Sequence, residues 1–110
     1  MLKKQHKLPL RKNPDFFRTA TSVKGFGCVV YYQPQGSTQC VVIVSKKVAP
    51  KASFRNTIRR RVYQILEQNW EELQTFEVGL AIIITQPKLL VADRFEEQLL
   101  NTFRRIVQQY

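Results

Sequence analysis

Seven cationic side chains lie close together in the segment 45–66, SKKVAPKASFRNTIRRRVYQIL, and no acidic residue accompanies them. They are Lys46, Lys47, Lys51, Arg55, Arg59, Arg60 and Arg61. Guanidinium groups donate paired hydrogen bonds to phosphate oxygens, and each phosphate that a protein neutralises releases counterions. The chemistry that this segment predicts is therefore the binding of a polyanion.

A helix that begins with Ser53 as its N-cap and runs to about residue 73 gives these cations a common direction. At roughly 100° per residue, one arc faces the core and consists of Phe54, Ile58, Val62, Ile65 and Leu66. The exposed side then carries Arg55, Asn56, Arg59 and Arg60, with Arg61 on the opposite flank. We therefore predict an amphipathic helix that presents three guanidinium groups and one carboxamide together.

This arrangement of charge is unfavourable in the isolated protein. Arginines at positions i, i+4 and i+5 repel one another, and positive charge at a helix N-terminus opposes the macrodipole. No Asp or Glu lies three or four residues from Arg55, Arg59 or Arg60, so the usual compensating pairs are missing. A merely solvated basic face is the alternative, and the missing acidic neighbours argue against it.

The charge of the whole chain is segregated in the same way. Residues 1–61 hold fourteen Lys and Arg against one acid, a net charge of +13, whereas residues 62–110 hold four against seven acids, a net charge of −3. Such segregation indicates a positive face directed at a polyanion, and nucleic acid is the first candidate. An anionic membrane surface is the second, but the apolar helix faces are needed for the core.

Residue types that could perform hydrolysis are scarce. A protein active site needs a base, a nucleophile or metal ligands that converge. His6 is the only histidine, and the adjacent glutamates 71–72 and 96–97 diverge by about 100° on a helix. Cys28 and Cys40 lie in apolar runs, and we interpret them as reduced core thiols. We expect no catalytic residue and no metal ligand in this protein.

Length and hydrophobic pattern predict a single domain over residues 1–110, with a basic, loosely ordered arm at residues 1–12. The predicted elements are a helix at 13–20, strands at 26–33 and 39–45 paired as a hairpin, a helix at 53–73, a strand at 78–84 and a helix from Asp93 to Tyr110. The run VGLAIII at 78–84 has no polar alternation, which predicts a central strand buried on both faces. The fold class is therefore α+β, an α/β sandwich in the order α-β-β-α-β-α with helices packed on a small mixed sheet.

No apolar run approaches the roughly 20 residues that a membrane-spanning helix needs. The start of the chain, MLKKQHKLPLRK, also lacks the apolar stretch of a secretory signal. We therefore expect a cytoplasmic protein that does not bind membranes.

One combination of motifs resembles a known family. Lys46-Lys47 is followed by Arg55-Asn56 and then by Ile58-Arg59-Arg60, and the segment 12–16 reads Lys-Asn-Pro-Asp-Phe. In this order and spacing the motifs resemble the bacterial ribonuclease P protein subunit over nearly the whole chain. The resemblance implies the ribosomal protein S5 domain 2-like fold with a left-handed β-α-β crossover, whereas general rules favour the right-handed one.

The resemblance also implies a function. In that family the protein joins ribonuclease P RNA, and the RNA, using Mg²⁺, removes the 5′ leader from precursor tRNA. We therefore expect these two RNAs as partners, no required protein partner and no cofactor held by protein side chains. The positions that match RNA-contacting motifs are Lys46, Lys47, Arg55, Asn56, Arg59 and Arg60, and Lys51 adds charge to the same neighbourhood.

A second set of residues matches the cleft that receives the single-stranded leader. Phe16 and Tyr31 match its aromatic positions, and Arg11 and Lys12 lie in the basic arm beside them. A base stacked on such a ring contributes about 1–3 kcal/mol whatever its sequence, although plain core packing is the alternative for both rings. The chain departs from the family pattern at Thr57 (usually basic), at Gln39 and Val41 (usually Arg-x-Gly) and at Ala20 (usually aromatic).

Two other functions stay open on the sequence alone. A noncatalytic RNA-binding protein of the ribosomal type would need the same basic face. A stand-alone nuclease would cleave RNA without a partner, and it would need an active site for which the residues are missing.

Overall fold

A computed structural model of the chain describes residues 3–88 and 94–108. The elements are α1 (Phe16–Thr19), β1 (Thr21–Lys24), β2 (Cys28–Pro34), β3 (Gln39–Ile43), α2 (Ala52–Gln68), α3 (Trp70–Leu73), β4 (Val78–Ile84) and α4 (Phe95–Gln108). Short 3₁₀-helices cover Lys4–His6, Leu10–Lys12 and Gln74–Phe76. The predicted α+β class is confirmed.

The four strands form one mixed sheet in the order β1-β2-β4-β3. β2 runs antiparallel to β1 and to β4, whereas β3 runs parallel to β4. β4 is buried along its length except at the half-buried Ile83, which confirms the prediction of a central strand. Its pairing with β2 extends from Val78 opposite Pro34 to Ile84 opposite Cys28.

The predicted hairpin between β2 and β3 is wrong, because β4 lies between them. A strand as apolar as β4 is stable where both of its edges are paired and both of its faces are covered, and the position between β2 and β3 provides this. The hairpin partner of β2 is instead β1, a four-residue strand with three exposed residues, so no apolar alternation marks it in the sequence. The link between β1 and β2 includes Gly27, whose φ of 73° lies in the left-handed region that favours glycine.

Side chains from the sheet alternate between two apolar clusters. The even-numbered residues of β4, from Val78 to Ile84, belong to the main core with α2 and α4, whereas Ala81 packs with Leu8 and Phe16. Successive strand residues point to opposite faces, so the two clusters lie on opposite sides of the sheet. α2 and α4 therefore cover one face, and α1 with the N-terminal segment covers part of the other.

The basic helix is shorter than predicted at its C-terminal end. α2 ends at Gln68, and a separate turn, α3, follows it. The break falls at Asn69, whose side-chain Nδ2 donates a hydrogen bond to the Ile65 carbonyl oxygen at 2.8 Å, so a carbonyl of the last turn is satisfied by a side chain. At the other end Lys51, not Ser53, occupies the N-cap position, with no side-chain cap.

The C-terminal helix α4 buries the predicted apolar stripe, which comprises Phe95, Leu99, Phe103 and Ile106. The predicted end of that stripe, Tyr110, and the predicted capping residue Asp93 lie outside the described residues.

The N-terminal segment contacts the fold more closely than its basic composition predicts. The Leu8 side chain is 4% exposed and packs against Phe16 and Ala81. The Leu8 N–H donates a hydrogen bond to the Cys40 carbonyl oxygen at 3.0 Å. Burial of one leucine stabilises by about 2 kcal/mol, so the Leu8 side chain contributes to holding this segment on the sheet. The expectation of a loosely ordered arm is therefore wrong for the stretch around Leu8.

Both cysteines are free and buried, which confirms that they are core thiols. Burial raises the pKa of Cys28 to about 11 and raises the pKa of Cys40 as well, so neither thiol forms a reactive thiolate near neutral pH. Within the described residues, no three His, Cys, Asp or Glu side chains come close enough together to hold a metal ion.

β3, α2 and β4 form a β-α-β connection between parallel neighbouring strands. The left-handed sense of this crossover stays a prediction that the family resemblance supplies. In the part of the chain that the structure covers, no helix is long and apolar enough to cross a bilayer.

Candidate nucleic-acid interface

The loop between β3 and α2 carries three exposed lysines. Lys46 and Lys47 lie in the turn after β3, and Lys51 directly precedes α2. The first turn of α2 contains no acidic residue. Lys51 therefore lies at the positive end of the helix dipole, and no acidic residue of the first turn offsets its charge.

Arg55 turns back toward this loop. Its Nη1 donates hydrogen bonds to the carbonyl oxygens of Ala49 at 2.9 Å and Pro50 at 2.8 Å. Ala49 is fully buried, so the guanidinium group fixes the loop where it meets the core. Arg55 is half-buried and was predicted to be an exposed contact; in the structure it holds the lysine loop, and its direct contact with RNA stays a prediction.

Asn56, Arg59 and Arg60 come together as the helical geometry predicts. With Tyr63 they line a shallow cavity of about 200 Å³. The Asn56 side-chain oxygen accepts a hydrogen bond from Arg59 Nη2, which orients that guanidinium group, while Arg60 is exposed. Two neighbouring guanidinium groups suit the binding of a phosphate group. We call Lys46, Lys47, Lys51, Asn56, Arg59 and Arg60 the basic surface.

Neither of the two ion pairs that join residues within 3–88 and 94–108 includes a cation of the basic surface. Ion pairs occur elsewhere, between Arg18 and Asp15 at 3.7 Å and between Arg104 and Glu72 at 2.7 Å. The hydrogen bonds from Arg104 hold the pKa of Glu72 below its usual value, so this acid serves the link between α3 and α4. The charge of the basic surface is thus left for a partner.

Two side chains of α2 differ from the helical prediction. Phe54, expected in the core, is 45% exposed, because the buried stripe of the helix begins only at Ile58. Tyr63, absent from the predicted core, is buried, and its hydroxyl accepts a hydrogen bond from the Val42 N–H at 3.1 Å. The sequence alone does not indicate that the hydroxyl of this tyrosine accepts a hydrogen bond from a backbone N–H of an edge strand.

On the other face of the sheet, two neighbouring phenylalanines have opposite environments. Phe16 is 2% exposed, which favours the core-packing alternative for this ring, whereas Phe17 is 40% exposed. The Phe17 ring contacts Tyr31 edge to face, with 5.1 Å between the ring centroids. Tyr31 is half-buried, and its predicted role in the leader cleft stays a prediction. We call Phe17 and Tyr31 the aromatic pair; the sequence pointed to its second member only.

Arg11 and Lys12 are exposed in the 3₁₀-helix that precedes α1. Leu10, which begins this short helix, packs against the cluster that contains Phe16, and Tyr31 packs against the same cluster. The two cations therefore belong to the segment that docks on the same face of the sheet as the aromatic pair.

The four departures from the family pattern have simple structural outcomes. The Thr57 hydroxyl donates a hydrogen bond to the Ser53 carbonyl oxygen at 3.0 Å, within the helix. Gln39 Nε2 donates to the Gln5 carbonyl oxygen at 3.2 Å, so it holds the N-terminal segment. Val41 and Ala20 pack against the small apolar cluster.

Comparison with known proteins decides the family. The sequence model of the ribonuclease P family matches residues 2–110. This chain belongs to the ribonuclease P protein family. The resemblance seen in the motifs is thereby confirmed, and ribonuclease P proteins are the RNA-binding protein subunits of a tRNA-processing ribonuclease.

Solved ribonuclease P proteins share the fold. The protein from Staphylococcus aureus matches with a TM-score of 0.76 at 18% identity, over 92% of this chain and 94% of that chain. The protein from Thermotoga maritima matches with a TM-score of 0.73 at 23% identity, over 90% and 96% of the two chains. No curated protein matches the sequence.

The loop-holding role of Arg55 is testable by stability. Arg55→Ala removes two hydrogen bonds from a charged donor, so we expect the free energy of unfolding in urea to fall by about 1–2 kcal/mol. Arg55→Lys should recover only part of the lost free energy of unfolding, because an ammonium group lacks the planar set of donors of a guanidinium group. Arg60→Ala is the matched control, with no loss expected. Equal stabilities of Arg55→Ala and the unmodified protein would contradict the role.

Proposed function

We propose that this chain binds the catalytic RNA of ribonuclease P through the basic surface and the 5′ leader of precursor tRNA through the aromatic pair. In doing so it promotes endonucleolytic removal of the leader and formation of the mature tRNA 5′ end. The observation that supports the proposal most strongly is the set of accessible cations in the loop before α2 and along its first half, none of which belongs to an ion pair between described residues. We place this activity in the cytoplasm.

The contribution of the protein in this proposal is electrostatic. Two RNA segments that approach each other repel, because each carries one negative charge per nucleotide. Cations fixed on a helix and a braced loop lower that repulsion within a Debye length, about 8–10 Å at physiological salt. Cleavage itself belongs to the RNA subunit and its Mg²⁺ ions, and no further protein partner is required.

The aromatic pair explains how leaders of different sequence could be bound. Every base has a π-face, so stacking on an exposed ring depends little on sequence. Phe17 offers such a ring, and its edge-to-face contact with Tyr31 holds it in place. The buried Phe16 supports this arrangement from beneath, with 5.5 Å between its ring centroid and that of Phe17. Arg11 and Lys12 supply positive charge for the leader phosphates.

Reconstitution tests the proposal directly. The purified chain is added to a bacterial ribonuclease P RNA and a leader-bearing tRNA at low Mg²⁺, where repulsion between the RNAs is poorly screened. We expect cleavage that neither the RNA alone nor the protein alone produces under these conditions. Failure to restore cleavage would favour a noncatalytic RNA-binding protein of the ribosomal type, and cleavage by the protein alone would point to a nuclease.

Contact between the basic surface and phosphate is testable by salt dependence. The double variant Arg59→Ala/Arg60→Ala should bind ribonuclease P RNA more weakly and with a shallower dependence of log Kobs on log salt. The magnitude of this negative slope should decrease by about 0.7–0.9 for each lost phosphate contact. Filter binding between about 50 and 200 mM KCl measures this slope. A slope equal to that of the unmodified protein would mean that these side chains do not touch phosphate.

The role of Phe17 is testable with two substrates. Phe17→Ala should weaken binding of leader-bearing tRNA by about 1–3 kcal/mol while leaving mature tRNA unaffected, because only the former has a base to stack. Phe17→Trp keeps a ring and should bind both normally. Phe16→Ala, in contrast, creates a core cavity that costs about 3–5 kcal/mol of stability. Equal losses of both tRNAs in the stable Phe17→Ala protein would refute the leader contact.

A further inference from the structure

The first described residues, 3–8, lie along the outer edge of β3, and we call them the strap. Besides the bond from the Leu8 N–H to the Cys40 carbonyl oxygen, Lys7 forms a parallel β-bridge with Cys40. The Gln39 side chain also donates a hydrogen bond to the Gln5 carbonyl oxygen. β3 is an edge strand, so the strap pairs with backbone groups that would otherwise face solvent.

A ring stack fixes the strap to the helical layer. The His6 ring lies on the Trp70 ring with 4.3 Å between centroids and an interplanar angle of 25°. Together with Lys3 and Glu67 these rings line a cavity of about 230 Å³. The strap is therefore held at two places, the edge of β3 and the start of α3.

Tyr63 connects the strap to the basic surface. Its hydroxyl accepts a hydrogen bond from the Val42 N–H on the strap side of β3, and its ring lines the cavity formed with Asn56, Arg59 and Arg60. The Lys7 ammonium nitrogen lies 5.9 Å from the centroid of the same ring, inside the roughly 6 Å range of cation–π contacts. Lys7 and the two arginines thus share Tyr63 as a neighbour, although more than fifty residues separate them in sequence.

Three of the six strap residues are lysines, whereas most contacts that anchor the strap come from Leu8, His6, Gln39 and backbone groups. Among the lysine side chains, that of Lys7 adds its contact with the Tyr63 ring. Docking alone does not require this charge, and it brings further cations toward an already positive surface. We propose that the strap is a second part of the RNA-binding surface, in which Lys7, held over Tyr63, binds the same stretch of phosphate backbone as Arg59 and Arg60. This inference rests on the proposed function of the basic surface, and it assigns His6 as a positioning residue.

The salt dependence of binding to ribonuclease P RNA, with the full chain, tests the assignment of Lys7. Lys7→Gln should lower the log–log slope by about 0.7–0.9, the value for one phosphate contact. Lys24→Gln is the matched control, because it removes the same charge from β1 at the opposite edge of the sheet, and it should leave the slope unchanged.

Two patterns of slopes would overturn this inference alone, and a third would also contradict the proposed function. If Lys7→Gln keeps the original slope while Arg59→Ala/Arg60→Ala lowers it, the strap is not part of the surface, and the proposed function stands. Equal losses for Lys7→Gln and Lys24→Gln would indicate a general charge effect and would also overturn the inference. If none of these variants changes the slope, the proposed function fails with it.

The positioning role of His6 has its own test. His6→Ala removes the stack on Trp70 and should lower the slope as Lys7→Gln does, with no further loss when both changes are combined. His6→Phe keeps a ring over Trp70 and should restore the original slope. Additive losses in the double variant, or no recovery with phenylalanine, would contradict a role of His6 that acts through Lys7.

Discussion

Positive charge gathered at the start of α2, where the helix dipole already opposes it, is the constraint on which the rest of the structure depends. A cation at the helix start that makes no compensating contact, such as Lys51 at the N-cap position, destabilises the free protein by a few tenths of a kcal/mol to about 1 kcal/mol. The chain has acids that could offset this, yet Glu72, for example, binds Arg104 on the far helix instead. When a phosphate backbone binds, the electrostatic free energy of these cations becomes favourable. The guanidinium groups then form charge-assisted hydrogen bonds, and the neutralised phosphates release their counterions.

The sheet keeps two functional surfaces apart on one small domain. Placing the apolar β4 in the centre puts α2 and α4 on one face and α1 with the N-terminal segment on the other. The basic surface belongs to the first face, because its residues lie on α2 and on the loop that Arg55 holds. The aromatic pair lies on the second face, where the ring of Tyr31 in β2 contacts the ring of Phe17. The contacts proposed for the catalytic RNA and those proposed for the leader therefore use different side chains.

Periodicity and charge predicted the parts of this structure that local patterns encode. The continuous apolar run gave β4 its bounds, and the three- and four-residue spacing placed Asn56, Arg59 and Arg60 together. The order of the strands in the sheet was not encoded by local patterns. The insertion of β4 between β2 and β3 depends on which strand is stabilised most by pairing along both of its edges. The inward turn of Phe16, the outward turn of Phe17 and the docking of Leu8 likewise depend on tertiary packing that a motif does not display.

The free energy of unfolding of the RNA-free protein tests the central claim most directly. Lys51 and Arg60 are exposed in the loop and on α2, and neither takes part in the ion pairs described above. If these cations are unfavourable in the absence of RNA, Lys51→Gln/Arg60→Gln should be more stable than the unmodified chain at low salt. The expected gain is about 0.3–1 kcal/mol in total, most of it from Lys51 at the start of the helix, and it should shrink as salt rises. A double variant that is less stable at low salt would contradict the account, because the cations would then be stabilising the fold itself.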